Sequence, residues 1–102
     1  MSLAVAFTAA VALAAPAGIA DTKRAICTTF GRYCGQALSV SWCESRWNVY
    51  ARSPGGHLGL FQFGSYARRR YGFGWDAWTQ SRAAYRYFAD SGHRWTAWSC
   101  KP

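Results

Sequence analysis

Residues Ser41 to Phe63 read SWCESRWNVYARSPGGHLGLFQF, and the rest of the chain is most simply understood as scaffolding around this stretch. It holds the one glutamate of the sequence, Glu44, between Trp42 and Trp47. A turn-forming Ser53-Pro54-Gly55-Gly56 follows, and Gly59-Leu60-Phe61-Gln62 returns the chain to apolar character. Upstream, Leu38 and Trp42 stand four apart, a helical spacing that buries one face. The stretch is therefore expected to open on a helix that finishes just after Glu44. A carboxyl walled by indole rings favours its protonated form, because removal from water penalises charge. The negative end of the helix dipole acts in the same direction, while Arg46 and the general positive charge oppose it. A carboxyl so placed suits general-acid work on a glycosidic oxygen.

Ahead of this stretch, Leu3 to Ala20 carries no charge and is rich in Ala and Val. It ends in Ala15-Pro16-Ala17 and Gly18-Ile19-Ala20, small-residue patterns of the kind signal peptidases cut after. The length approaches the roughly 20 apolar residues of a membrane span. Its alanine content and small-residue ending favour a secretory signal over residues 1–20 instead. No Lys or Arg precedes the apolar run, so retention as an anchor is the rival reading. The domain is then 21–102, a size that buries only about 60% of its unfolded surface and calls for reinforcement.

Cys27, Cys34, Cys43 and Cys100 make an even number in an exported chain, which points to disulfides. Metal ligation is disfavoured, since there is no CxxC pair and His57 and His93 are far apart in sequence; no metal or cofactor is expected. Three pairings are possible. On one unbroken helix Cys27 and Cys34 would lie about 10 Å apart, too far to bond. A helix that ends in Phe30-Gly31-Arg32-Tyr33 would bring them together, leaving Cys43 to pair with Cys100. By the chain-entropy argument a loop of that length is worth about 4 kcal/mol.

Twelve Lys and Arg oppose four acidic residues, for a net charge of +8. A polyanionic partner is implied, whether cell-wall polymer, membrane surface or nucleic acid. Secretion and the lack of any groove-reading motif count against nucleic acid.

The order of elements reads as mainly helical. Asp21-Thr22 is expected to open a short helix that Gly31 stops. Val49 to Leu60 is loop-rich, with a rudimentary hairpin around Pro54-Gly55-Gly56. A short helix is expected over Phe63–Tyr71, broken by Gly72 and Gly74. Asp76 would cap the longest helix, Ala77–Ser91, with its apolar stripe of Ala84, Tyr85 and Phe88, and Gly92 would close it. The tail His93–Pro102 is held by Cys100.

Glu44-Ser45-Arg46-Trp47-Asn48, then Ser53-Pro54-Gly55-Gly56-His57-Leu58-Gly59-Leu60-Phe61-Gln62, resembles the ES-x-WN … S-x-x-G-x-x-GL-x-Q signature of lysozyme-like soluble lytic transglycosylases. Trp95-Thr96-Ala97-Trp98-Ser99-Cys100 is similar to the Trp-rich, cysteine-terminated end of secreted actinobacterial relatives, including the resuscitation-promoting factors. The resemblance implies a small, disulfide-stapled lysozyme-like domain of the goose-type or lytic-transglycosylase kind. It implies cleavage of the β-1,4 bond between N-acetylmuramic acid and N-acetylglucosamine, with peptidoglycan strands and anionic wall polymers as partners. Such a protein would be a secreted, wall-associated monomer. Glu44 matches the acid/base, Ser53 the serine that hydrogen-bonds it, and Gln62 a sugar-contacting glutamine. Ser53 would serve equally as a turn cap and Gln62 as a surface amide. Tyr85 matches a helix position that often faces the cleft, and Trp47 and His57 are further substrate-binding candidates. The helix with an Ala-Tyr-Asn motif found in many longer members has no counterpart, which leaves open whether the product is a 1,6-anhydro sugar or a hydrolysed end.

One-carboxyl chemistry fits the inventory. Paired-carboxylate glycosidases need two acids at a set separation, and besides Glu44 the chain has only Asp21, Asp76 and Asp90. The competing reading is a secreted cationic protein, disulfide-stabilised, that binds walls or membranes without catalysis.

Overall fold

The computed structural model describes residues 17–102. Most of the expected signal segment therefore lies outside the described residues. Its last four, 17–20, already belong to the first helix, α1 (Ala17–Phe30). Asp21 is thus not a cap but an interior residue of α1, where it pairs with Arg24 at 3.2 Å on the exposed face. The opposite face buries Thr22, Ala25, Ile26 and Phe30.

Gly31 adopts a φ of +54°, a left-handed value that glycine tolerates at little cost, and α1 stops there. A single 3₁₀ turn, Gly31–Tyr33, leads into α2 (Cys34–Ser45). This break brings the Cα atoms of Cys27 and Cys34 to 4.4 Å and their sulfurs into a disulfide. The second disulfide joins Cys43 to Cys100, with Cα atoms 6.0 Å apart. Both expected bridges are present.

The α2 helix ends where Arg46 turns left-handed at φ 56° and its N–H closes on Trp42 O. A loop follows that contains no strand, only two antiparallel bridges, Arg52 to Leu58 and Leu58 to Phe63. The first bridge encloses the turn in which Gly56 N–H donates to Ser53 O at 3.0 Å. The rudimentary hairpin thus exists at its smallest extent. Because Phe63 is committed to Leu58 through both its backbone N–H and its C=O, α3 begins only at Ser65 and runs to Tyr71.

The last helix, α4 (Ala77–Asp90), opens on Asp76, whose carboxylate accepts from the Thr79 N–H at 2.9 Å. The hydrogen bonds from Thr79 hold the Asp76 carboxyl below its ordinary value. At its other end Gly92, φ +77°, and the bond from His93 N–H to Phe88 O close the helix.

α1 packs along both α4 and α2. The core between them is aromatic and centres on Phe30, whose ring lies 5.3–5.7 Å from those of Phe61, Tyr85, Phe88 and Trp95. Offset and edge-on pairs of this kind add about 0.5–1.5 kcal/mol beyond the area they bury. A mainly helical domain with two disulfides is what the residue pattern implied. Among the described residues no helix is long and apolar enough to cross a membrane.

One polar residue organises the loop. Gln80, on α4 and almost fully buried, accepts from the Leu60 N–H at 2.8 Å and donates to Val49 O at 3.1 Å and Gly74 O at 2.8 Å. A Cβ at Gly59 would stand 2.5 Å from the Gln80 carbonyl oxygen, at a φ of +80°, so only glycine fits there.

Candidate active site

Glu44 is the penultimate residue of α2 and is half-buried. It lines a cleft of about 490 Å³ together with Ser53, His57, Gln62, Tyr66, Tyr87 and Trp98. The end of α2 supplies the carboxyl, and the hairpin loop supplies Ser53, His57 and Gln62. Tyr66 comes from α3, Tyr87 from α4, and Trp98 from the tail that the Cys43–Cys100 bridge draws across. The tail does more than close the wall: the Cys100 N–H donates to Glu44 Oε2 at 3.1 Å. The remaining oxygen, Oε1, accepts no hydrogen bond from the described residues and is the one left for a ligand.

Ser53 does not bond Glu44. Its hydroxyl oxygen accepts from the His57 N–H at 3.2 Å, the turn-cap role, while its own proton stays available to the cleft. Gln62 sits at φ 50° with its amide donating to Gly59 O at 3.0 Å, so it fixes the loop as well as lining the cleft. His57 lies across Gly64, where a Cβ would meet its ring at 3.1 Å.

The inner aromatic wall is anchored by packing and one hydrogen bond. Trp98 is buried and anchored by its indole N–H to Phe61 O at 2.9 Å. Tyr87 stacks on Tyr71 at 4.6 Å and meets Trp98 at 5.1 Å. Tyr66 leans on Tyr87 and is 56% exposed, giving the cleft a solvent-facing ring. None of the residues lining the cleft is an arginine or lysine, so the +8 charge acts from outside it.

Two expected site residues lie elsewhere. Trp47 does not wall the carboxyl; it packs on Trp42 at 4.8 Å and donates to Leu38 O at 3.2 Å. Trp42 precedes Glu44 by two residues, which on a helix means about 200° of rotation. The indoles therefore face away from the cleft. Tyr85 packs edge-on against Phe30 at 5.3 Å in the core, and Tyr87, two residues on, takes the cleft face instead. Trp75 and Trp78 are also outside the cleft; Trp75 stacks on Tyr50 and lies beneath Arg52.

The other acids are engaged structurally. Asp21 is paired with Arg24, Asp76 caps α4, and Asp90 accepts from the Tyr71 hydroxyl at 2.8 Å with Arg70 at 3.6 Å. Arg86 turns to the carbonyl of Tyr71. Burial, followed by the bond to Asp90, raises the Tyr71 hydroxyl above the ordinary phenol value. Among the described residues no group of three His, Cys, Asp or Glu side chains could hold a metal ion.

No protein-family model, curated protein or solved structure matches the chain.

Proposed function

We propose that the protein is a peptidoglycan-cleaving enzyme of the lysozyme-like, lytic-transglycosylase type, acting on the β-1,4 bond between N-acetylmuramic acid and N-acetylglucosamine with Glu44 as its single acid/base. The observation that carries the reading is the isolation of one carboxyl. Glu44 is the one acid lining the cleft of about 490 Å³, and its Oε1 is unclaimed by the described residues, whereas Asp21, Asp76 and Asp90 are engaged by Arg24, Thr79, and Tyr71 with Arg70. Ser53 and Gln62, the residues the motif pairs with it, line the same cleft.

The chemistry follows from that inventory. Glu44 gives its proton to the bridging oxygen as the bond from that oxygen to the muramyl C1 breaks. The N-acetyl group of the substrate stabilises the positive C1 centre, since no second carboxylate is present to do so. The Glu44 carboxylate then removes the proton of the muramyl C6 hydroxyl, whose oxygen bonds C1 to close a 1,6-anhydro ring. The tether from the Cys100 N–H fixes Oε2, so one oxygen, Oε1, performs both transfers. Tyr66 and Tyr87 offer ring surface to sugars, backed by the buried Trp98. The disulfides suit an oxidising, extracellular setting, where a secreted, wall-associated monomer would work.

Mass spectrometry of muropeptides released from purified peptidoglycan tests the proposal. The wild-type chain should release 1,6-anhydro-muramyl products and Glu44→Gln should release none. Equal behaviour of the two proteins would mean a cationic wall- or membrane-binding protein without catalysis. Reducing-end products that still require Glu44 would mean a hydrolase at the same site.

A further inference from the structure

On the side of α2 opposite the cleft stands a second organised surface. The Lys23 ammonium lies 4.8 Å from the centroid of Trp47, Trp47 meets Trp42 at 4.8 Å, and the Arg46 guanidinium lies 5.0 Å from the centroid of Trp42. The result is a continuous row of cation, indole, indole and cation. Trp42 is 46% exposed, and its indole N–H has no partner among the described residues. One turn before Lys23 on α1, Ile19 is 51% exposed. None of these residues lines the cleft.

We propose that this face docks on an anionic lipid bilayer. Tryptophan with a free N–H settles at the level of the headgroups, apolar body inward and polar edge in the wet layer. Lys23 and Arg46 supply cations beside the indoles, each worth about a fivefold gain in affinity near an anionic leaflet, or about 1 kcal/mol per residue. Where the chain keeps residues 17–20, Ile19 on α1 adds an exposed apolar side chain one turn before Lys23. A dissolved polyanion would use the cations but gain little from Ile19 and a half-exposed indole. A second copy of this face would meet it with like charge. Docking in this way leaves the cleft on the far side of α2, open away from the membrane.

The test measures the depth of one indole rather than the binding of the whole chain, so it holds whether or not residues 1–20 enter the bilayer. The full chain is mixed with vesicles containing a brominated lipid, either phosphatidylglycerol with phosphatidylcholine or phosphatidylcholine alone. Tryptophan emission should be quenched in the anionic vesicles, and Trp42→Phe should remove most of the quenched signal while Trp75→Phe leaves it intact. Lys23→Glu with Arg46→Glu should restore the emission, each reversal lowering the binding constant by at least about fivefold. Circular dichroism of each variant checks that the fold is kept. Quenching that is unchanged in Trp42→Phe overturns the proposal. So does protection of Trp42 from acrylamide by soluble polyphosphate but not by vesicles, which would make the face a polymer site. A dimer in sedimentation that Trp42→Ser dissolves would make it an interface between copies and overturn it equally.

Discussion

Replacing Gln80 by leucine removes three hydrogen bonds at once while conserving most of the side-chain volume. The Leu60 N–H and the carbonyls of Val49 and Gly74 lose their partner. A buried polar group left unpaired costs about 1–3 kcal/mol, so the sum lies between about 3 and 9 kcal/mol. Local relaxation and entering water favour the lower part of that range, about 4 kcal/mol. A domain of this length has a total stability of only about 5–13 kcal/mol. At about 4–8 °C per kcal/mol, Tm should fall by roughly 15–30 °C, as read by circular dichroism at 222 nm. Gln80→Glu sharpens the test. Its carboxylate could still accept from Leu60 N–H but would confront two carbonyls. Its folded-state pKa is thus raised, so stability is present below the unfolded value of about 4.3 and is lost as pH rises. Gln80→Glu should therefore gain in Tm on acidification towards pH 4 relative to Gln80→Leu. A Tm drop below about 4 °C for Gln80→Leu would refute the idea that this amide holds the loop to α4.

Removing the Cys43–Cys100 bridge by double alanine substitution should cost about 4 kcal/mol for its 57-residue separation, against about 2.4 kcal/mol for Cys27–Cys34 with a separation of 7, in paired thermal melts. Asp76→Ala should cost about 1 kcal/mol at neutral pH. Because the capped carboxyl is held below its ordinary value, its contribution is present above about pH 4 and fades as pH falls through the folded value. The gap between wild type and variant in urea melts should close accordingly. Tyr85→Phe should leave muropeptide release unaltered, whereas Tyr87→Ser should lower it by about two- to twelvefold by removing a ring worth about 0.5–1.5 kcal/mol from the cleft wall. If the two variants behave alike, the cleft assignment of Tyr87 is wrong.

Local rules reached much of this architecture. Gly31 ends α1, Asp76 opens α4 and Gly92 closes it because each acts within a few residues of itself. The disulfide pairing was readable too, since a helix break at Phe30-Gly31-Arg32-Tyr33 lets Cys27 reach Cys34 and leaves Cys43 for Cys100. What escaped was long-range or rotational. Gln80 looks like any helical surface glutamine until the loop, 20–31 residues earlier in the chain, folds onto it. Trp42 and Glu44 are neighbours in sequence and yet point apart, as a two-residue step on a helix requires. The same step exchanges Tyr85 for Tyr87. The early start of α1 was obscured because alanines that favour helix also compose a signal-like segment. Glu44, Ser53, His57 and Gln62 line one cleft.

The wall formed by Trp98 and the amide of Cys100 reaches Glu44 from a segment 56 residues further along the chain. A newly made polypeptide in which these cysteines are still thiols has no covalent hold on that wall. Assembly of the cleft is therefore coupled to oxidation: reduction of Cys43–Cys100 removes the one covalent hold between the end of α2 and the tail that covers its carboxyl.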